Sequence, residues 1–156
     1  MKKIVALLLC VLCLAGCGKA QPAPEVEEDY TTQIREELLN KKSKIEKKVA
    51  RVLELQQEEA GADYVIVTVT APYIYEDLLD WFENISDEDY SDAAMEDQIL
   101  ELLKGKPQSK QFTLELQDGQ PVYTEEFLDA ASCGLRRFYA TLTAMLMEEM
   151  EASVND

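Results

Sequence analysis

The sequence predicts an α+β fold, in which a small antiparallel sheet of two or three strands packs against about four helices. Apolar residues recur at the 3.6-residue helical period near both ends of the chain, which predicts long first and last helices. Two short segments between them alternate apolar and polar residues, as strands with one buried face do. Such strands are typical of an antiparallel sheet that packs on helices.

The first helix is predicted from about Tyr30 to Ala60, before Gly61, a residue type that commonly follows a helix. No Lys or Arg occurs between Val52 and Leu103, against fifteen Asp and Glu. We therefore expect the basic flank of the helix to lie over this acidic middle of the chain, with a surface for anionic lipid or a partner as the alternative. That flank consists of Lys41, Lys44, Lys47, Lys48 and Arg51.

The first strand is predicted at Tyr64 to Thr70, a segment rich in Val, Ile and Thr. Pro72 ends the strand and suits the first turn of the next helix. Two amphipathic helices then follow, and the second stops near Gly105. Their apolar positions are Ile74, Leu78, Trp81, Phe82 and Ile85 in one, and Met95, Ile99, Leu102 and Leu103 in the other.

A half-buried strand is predicted at Phe112 to Leu116, followed by the turn signal Asp118-Gly119 and a short edge strand from Gln120 to Tyr123. Thr124 is the expected N-cap of the last helix, which continues to about Met150. Gly134 lies in its middle, so we expect either a helix break there or a close packing contact. Its methionines are read as core, with an adaptable binding surface as the alternative: Met145, Met147 and Met150.

The acidic loop from Asn84 to Asp92 could suggest calcium. In an EF-hand that starts at Asp87, however, Asp92 occupies the required glycine position and Gln98 the closing glutamate position. Helix capping by Ser86 or Ser91 explains the loop better. We predict no metal site and no cofactor.

The N-terminus has the pattern of a secretory signal peptide, with two lysines, an apolar run from Ile4 to Leu14 and small residues before Cys17. The apolar run is too short to span a membrane. Leu14-Ala15-Gly16-Cys17 resembles the lipobox of bacterial lipoproteins. That resemblance implies cleavage before Cys17, a diacylglyceryl group on its thiol and further acylation, such as by palmitate, with the domain anchored to the cell membrane outside the cytoplasm. The predicted parts are a signal peptide over residues 1–16, the lipidated cysteine and a disordered acidic tether over residues 17–29, and one domain over residues 30–156.

A second resemblance rests on the strand that ends in Ala71-Pro72, and on Asp118-Gly119 followed by Glu126-Phe127-Leu128-Asp129-Ala130. With the lipobox, these segments loosely resemble small cystatin-like or NTF2-like lipoproteins of Gram-positive bacteria. The resemblance covers about half of the mature chain, and it implies no functional residue.

Charge and composition exclude several functions. Loss of Lys2 and Lys3 with the signal peptide leaves 13 basic and 31 acidic side chains, a net charge of −18. Such a surface repels nucleic acid, so we predict no nucleic-acid partner. The chain has no histidine, and Cys133, the only cysteine after Cys17, is expected in the core. We therefore predict that the protein is not an enzyme and has no catalytic residues, although a carboxylate-based hydrolase is an alternative.

The predicted function is that of a membrane-anchored binding or interaction module for a protein or small molecule. A structural or assembly role through the long helices is the alternative. If a ligand pocket exists, its candidates are aromatic residues near the sheet and the second helix, although a shared core would also explain them. These candidates are Tyr73, Tyr75, Trp81, Phe82, Phe138 and Tyr139.

Overall fold

The computed structural model describes residues 29–39 and 42–154. Within these ranges the chain forms six helices and one four-stranded antiparallel sheet, which makes the fold α+β. The helices are α1 (Tyr30–Leu38), α2 (Lys44–Val52), α3 (Tyr75–Asn84), α4 (Asp92–Leu102), α5 (Glu125–Ala131) and α6 (Leu135–Val154). The strands are β1 (Glu54–Ala60), β2 (Tyr64–Ala71), β3 (Gln108–Gln117) and β4 (Gln120–Val122).

The predicted assembly of two or three strands with about four helices was wrong, chiefly because the long first helix does not exist. Leu39 leaves the helical conformation at the end of α1, and Ser43 starts α2 with a capping box in which its side chain and that of Glu46 satisfy each other's backbone N–H groups. The chain then extends into β1, although its Glu, Gln and Ala residues favour a helix. Pairing with β2 outweighs that preference.

The last predicted helix is also divided. Thr124 caps α5 as expected, accepting a hydrogen bond from the backbone N–H of Phe127. The break between α5 and α6 lies at Cys133 and Gly134, which both adopt left-handed backbone angles (φ 60° and 83°). Of the two outcomes expected at Gly134, both a helix break and a close packing contact are therefore present.

The sheet has the order β1-β2-β3-β4, so each strand pairs with its neighbour along the chain. Val65 pairs with Leu114 and Val67 with Phe112 on the buried face, while Thr113 on the other face is exposed. The turn between β3 and β4 has positive φ at both Asp118 and Gly119, the geometry that the Asp-Gly signal predicts. These buried strand residues join one hydrophobic core with the largest buried side chains of the helices: Ile34, Leu78, Ile99, Phe127 and Phe138.

Polar contacts hold the N-terminal helices against the rest of the domain. The guanidinium of Arg35 donates to the carbonyl oxygens of Ala50 (3.1 Å) and Leu53 (3.0 Å), which satisfies acceptors at the C-terminal end of α2. Lys44 on α2 forms an ion pair with Glu96 on α4 (2.8 Å). This contact is of the kind expected if the basic flank lies over the acidic middle of the chain. Within the described residues this is the one ion pair that joins α2 to the acidic middle of the chain.

The start of α3 and the α5–α6 turn meet at unusually close range. The backbone N–H of Ile74 donates to the carbonyl oxygen of Cys133 (3.0 Å). A Cβ atom on Gly134 would lie 2.9 Å from Cβ of Tyr75 and 3.0 Å from its backbone nitrogen. Glycine at position 134 therefore meets two requirements, a left-handed φ and the absence of a side chain. We call this meeting point the 74–134 contact, formed by Tyr73, Ile74, Tyr75, Cys133 and Gly134.

We predict that Gly134→Ala lowers the free energy of unfolding by about 2 to 4 kcal/mol, because it adds both backbone strain and overlap with Tyr75. Gly119→Ala is the matched control, since φ there is 75° but no atom lies within 4 Å of the added Cβ. It should cost about 1 kcal/mol. Urea unfolding of both variants measures the difference, and equal losses would show that the close approach at residue 134 is unimportant.

Candidate functional site

The six aromatic candidates do not surround one pocket. Tyr75 and Phe138 are buried in the core, and Trp81 is half-buried against it. Tyr73, Phe82 and Tyr139 line three different surface depressions. The alternative of a shared core fits all of these side chains except Tyr139, and a single pocket formed by the six is not present among the residues that the structure describes.

Tyr73 and Tyr75, two residues of the 74–134 contact, also make polar contacts with Asp129 and Arg137. The hydroxyl of Tyr73 donates to Oδ2 of Asp129 (2.6 Å), and the backbone N–H of Arg137 donates to Oδ1 of the same carboxylate (3.3 Å). The guanidinium of Arg137 lies over the ring of Tyr75, 4.4 Å from its centroid. Burial, followed by the hydrogen bond to Asp129, raises the pKa of Tyr73, so the hydroxyl stays protonated and remains a donor.

The cleft next to these contacts has a volume of about 500 Å³. Its floor includes Val69 and Ala71, and its rim carries an ion pair between Lys110 and Glu126 (3.3 Å). Lys110, Glu126 and Asp129, which line this cleft, all interact with neighbours in the chain.

Tyr139 lines a second depression of about 400 Å³ between the α1–α2 region and the start of α6. Its ring is 44% exposed and contacts Phe138 edge-on, with the two centroids 5.6 Å apart. The lining of this depression includes Leu39 and Ser43, and the two residues between Leu39 and Lys42 lie outside the described residues, so no site is assigned there.

The C-terminal half of α6 exposes a group of large apolar side chains. Phe138 near the start of the helix is fully buried, whereas Leu146 and Met147 are 61% and 58% exposed. Met145 and Met150 are also exposed, at 36% and 64%. We call Met145, Leu146, Met147 and Met150 the α6 surface. The interpretation of these methionines as core was wrong, because each of them is at least 36% exposed.

A groove of about 810 Å³ lies beside the α6 surface, between α6 and the end of α3. Phe82 connects the groove to the core, since its ring makes edge contacts with Phe138 (6.1 Å between centroids) and with Tyr90 (5.8 Å). We call this depression the α3–α6 groove. Its apolar lining comprises Phe82, Ile85, Tyr90, Leu142, Met145 and Leu146, and its charged lining comprises Glu83, Asp87 and Glu148.

The walls of this groove carry charge of one sign. Residues 75–90, which form α3 and the loop after it, contain seven Asp and Glu and no Lys or Arg. Residues 138–156, which include the exposed part of α6, also contain no Lys or Arg. The described surface therefore carries an apolar groove with an acidic rim.

The remaining candidates for chemistry are explained structurally. Cys133 is fully buried, and burial raises the pKa of its thiol to about 12, so the reactive thiolate is scarce at neutral pH. In the acidic loop, Ser91 caps α4 by accepting from the N–H of Ala94 (3.1 Å), as predicted, and Ser86 bonds to Asp89 (2.6 Å). Among the described residues, no group of three or more His, Cys, Asp or Glu side chains is arranged to hold a metal ion.

The chain matches no protein-family profile, no curated protein sequence and no solved structure. Within residues 29–39 and 42–154, no helix has both the length and the apolarity needed to cross a membrane. The predicted signal peptide, lipidated Cys17 and tether fall on residues 1–28 and lie outside the described residues, apart from Asp29 at the tether's end.

Sequence reasoning named Met145, Met147 and Met150, with an adaptable binding surface as the alternative to core, but it did not identify the α3–α6 groove beside them. A signal was present in Met145-Leu146-Met147, because three consecutive apolar residues extend around a helix beyond the width of one buried stripe. The acidic character of the groove could also be read from the sequence. What the sequence did not reveal is that α3 and α6 lie side by side.

Proposed function

We propose that this protein is a lipid-anchored, extracytoplasmic binding module that holds a partner protein through the α6 surface and the α3–α6 groove. The observation that carries the proposal is the exposure of Leu146 and Met147 on a helix whose first half is firmly packed in the core. Solitary exposed apolar residues are ordinary, but a contiguous exposed apolar patch marks an interaction site.

The chemistry of the α6 surface supports recognition of another protein. Three of its four residues are methionine, whose unbranched, polarisable side chain adapts to differently shaped partners. The adjoining groove offers a concave apolar surface, and its connection to Phe138 through Phe82 fixes it to the core. A concave apolar groove lined in part by adaptable side chains suits a binding role.

Anchoring through Cys17 is supported by the lipobox Leu14-Ala15-Gly16-Cys17. The segment between Cys17 and Tyr30 is rich in proline and acidic residues, and fully extended it could reach about 40 Å. It joins the domain where the N–H of Tyr30 donates to Oε1 of Gln57 on β1 (3.0 Å). A domain on such a tether could meet partners that lie close to the membrane surface.

We propose a role without catalysis. The burial of Cys133 supports this view, as does the absence of histidine from the sequence. An assembly role through two long helices has less support, because the first of them is divided into α1 and α2 and continues as β1.

We predict that Cys17→Ala releases the protein from the membrane fraction, because no acyl chains can then be attached to the thiol. The domain itself should unfold at the same temperature as the parent, since residue 17 precedes the described fold. Membrane fractionation and thermal unfolding measure the two effects. Retention of the variant in washed membranes, in the amounts seen for the parent, would contradict lipid anchoring.

We also predict that the double variant Leu146→Asp with Met147→Asp abolishes the complex formed by the protein extracted from its native membranes. Both side chains are mostly exposed, so the free energy of unfolding should change by less than about 0.5 kcal/mol per substitution. Size-exclusion chromatography with light scattering detects the complex. Thr113→Asp, on the exposed face of the sheet, is the control and should leave it intact. A complex that survives the double variant would contradict the proposed function.

A further inference from the structure

We infer that the partner binds through a cationic amphipathic segment, which places its apolar residues in the α3–α6 groove and its Lys or Arg residues against the acidic rim. This inference rests on the proposed function, because it names the chemical class of the partner for the same surface. It is carried by the combination of an apolar groove with walls of a single charge.

The shape of the groove fits a helix or a comparable amphipathic segment. It lies along α6, where Leu142, Met145 and Leu146 follow one another at helical spacing, and Phe82 and Ile85 form the opposite wall. A helix that lies in an apolar groove is a common mode of peptide recognition, with anchors at about every third or fourth residue. About 810 Å³ of space accommodates several such anchors.

The charges that line the groove specify the sign of the charge that the partner carries. Glu83 and Asp87 on one wall and Glu148 on the other are all exposed, and all three line the groove. The four ion pairs among the described residues involve other carboxylates, namely Glu96, Glu101, Glu125 and Glu126. A partner with Lys or Arg beside its apolar anchors gains attraction at this rim, and a partner with carboxylates there is repelled.

Other occupants fit less well. A second copy of the chain that paired through the same face would bring two acidic rims together. An anionic membrane surface would be repelled in the same way. The chain's own segment between Cys17 and Asp29 is acidic and contains Val26 as its only large apolar residue, so it cannot fill the groove.

The test uses fluorescently labelled helical peptides of about 18 residues, with leucine on one face and lysine, glutamine or glutamate on the other. The full-length lipidated protein is held in dodecyl maltoside micelles, and binding is measured by fluorescence anisotropy. The same micelles with the Leu146→Asp, Met147→Asp variant provide the blank, so that binding to detergent is subtracted. We expect the lysine peptide to bind about tenfold more tightly than the glutamate peptide. Its affinity should fall as NaCl is raised from about 50 to about 500 mM.

A charge-reversed rim completes the test. Glu83→Lys with Glu148→Lys leaves the apolar lining unchanged. It should weaken binding of the lysine peptide and strengthen binding of the glutamate peptide.

Equal binding of the three peptides to the parent protein would overturn the inference but leave the proposed function standing. Failure of every peptide to bind, while the native complex still depends on Leu146 and Met147, would also overturn the inference alone. A native complex that forms equally well without Leu146 and Met147 would overturn the proposed function. A native complex that proves to contain only a second copy, or only lipid, would overturn the inference as well.

Discussion

The relative placement of α3, α5 and α6 depends on the 74–134 contact. Cys133 and Gly134 turn the chain through left-handed backbone angles, and the carbonyl oxygen of Cys133 accepts a hydrogen bond from Ile74 at the start of α3. With no side chain at residue 134, the backbone of Tyr75 can approach closely. The end of α5 is thereby fixed to the beginning of α3, and α6 starts alongside that helix. The α3–α6 groove is a consequence of this placement.

The sequence predicted the elements whose signals are local. Residue types at fixed spacing identified the strand at Tyr64 to Thr70, which continues to Ala71 in the structure. They also identified the Asp118-Gly119 turn and the Thr124 cap. β1 was missed because Leu55 fits both the helical and the strand period, and the Glu and Gln residues around it favour a helix. Its identity as a strand comes from pairing with β2, which local sequence does not encode. The break between α1 and α2 could have been found, since Ser43 and Glu46 have the spacing of a capping box.

The candidate site was predictable only in part. Helical spacing identified Phe82 and Phe138 as residues that face inward, and the structure brings their rings together. The same spacing continued through Met145 to Met150 and suggested that this part of the helix is buried too. Periodicity defines which side of a helix is apolar, but whether another element covers that side depends on helix length and tertiary placement. In the second half of α6 the helix has an apolar side that stays exposed, and the proposed interaction lies there.

The core residues and the proposed binding surface thus lie in different parts of α6. Its first half completes the core through Leu135 and Phe138, and its second half offers apolar surface beside a rim without positive charge. The most direct measurement is photocrosslinking in living cells, with benzoylphenylalanine in place of Leu146 in the full-length protein and, as a control, in place of Thr113. The account predicts a discrete protein adduct from position 146 and none from position 113. The absence of any adduct at 146, or equal adducts at both positions, would contradict it.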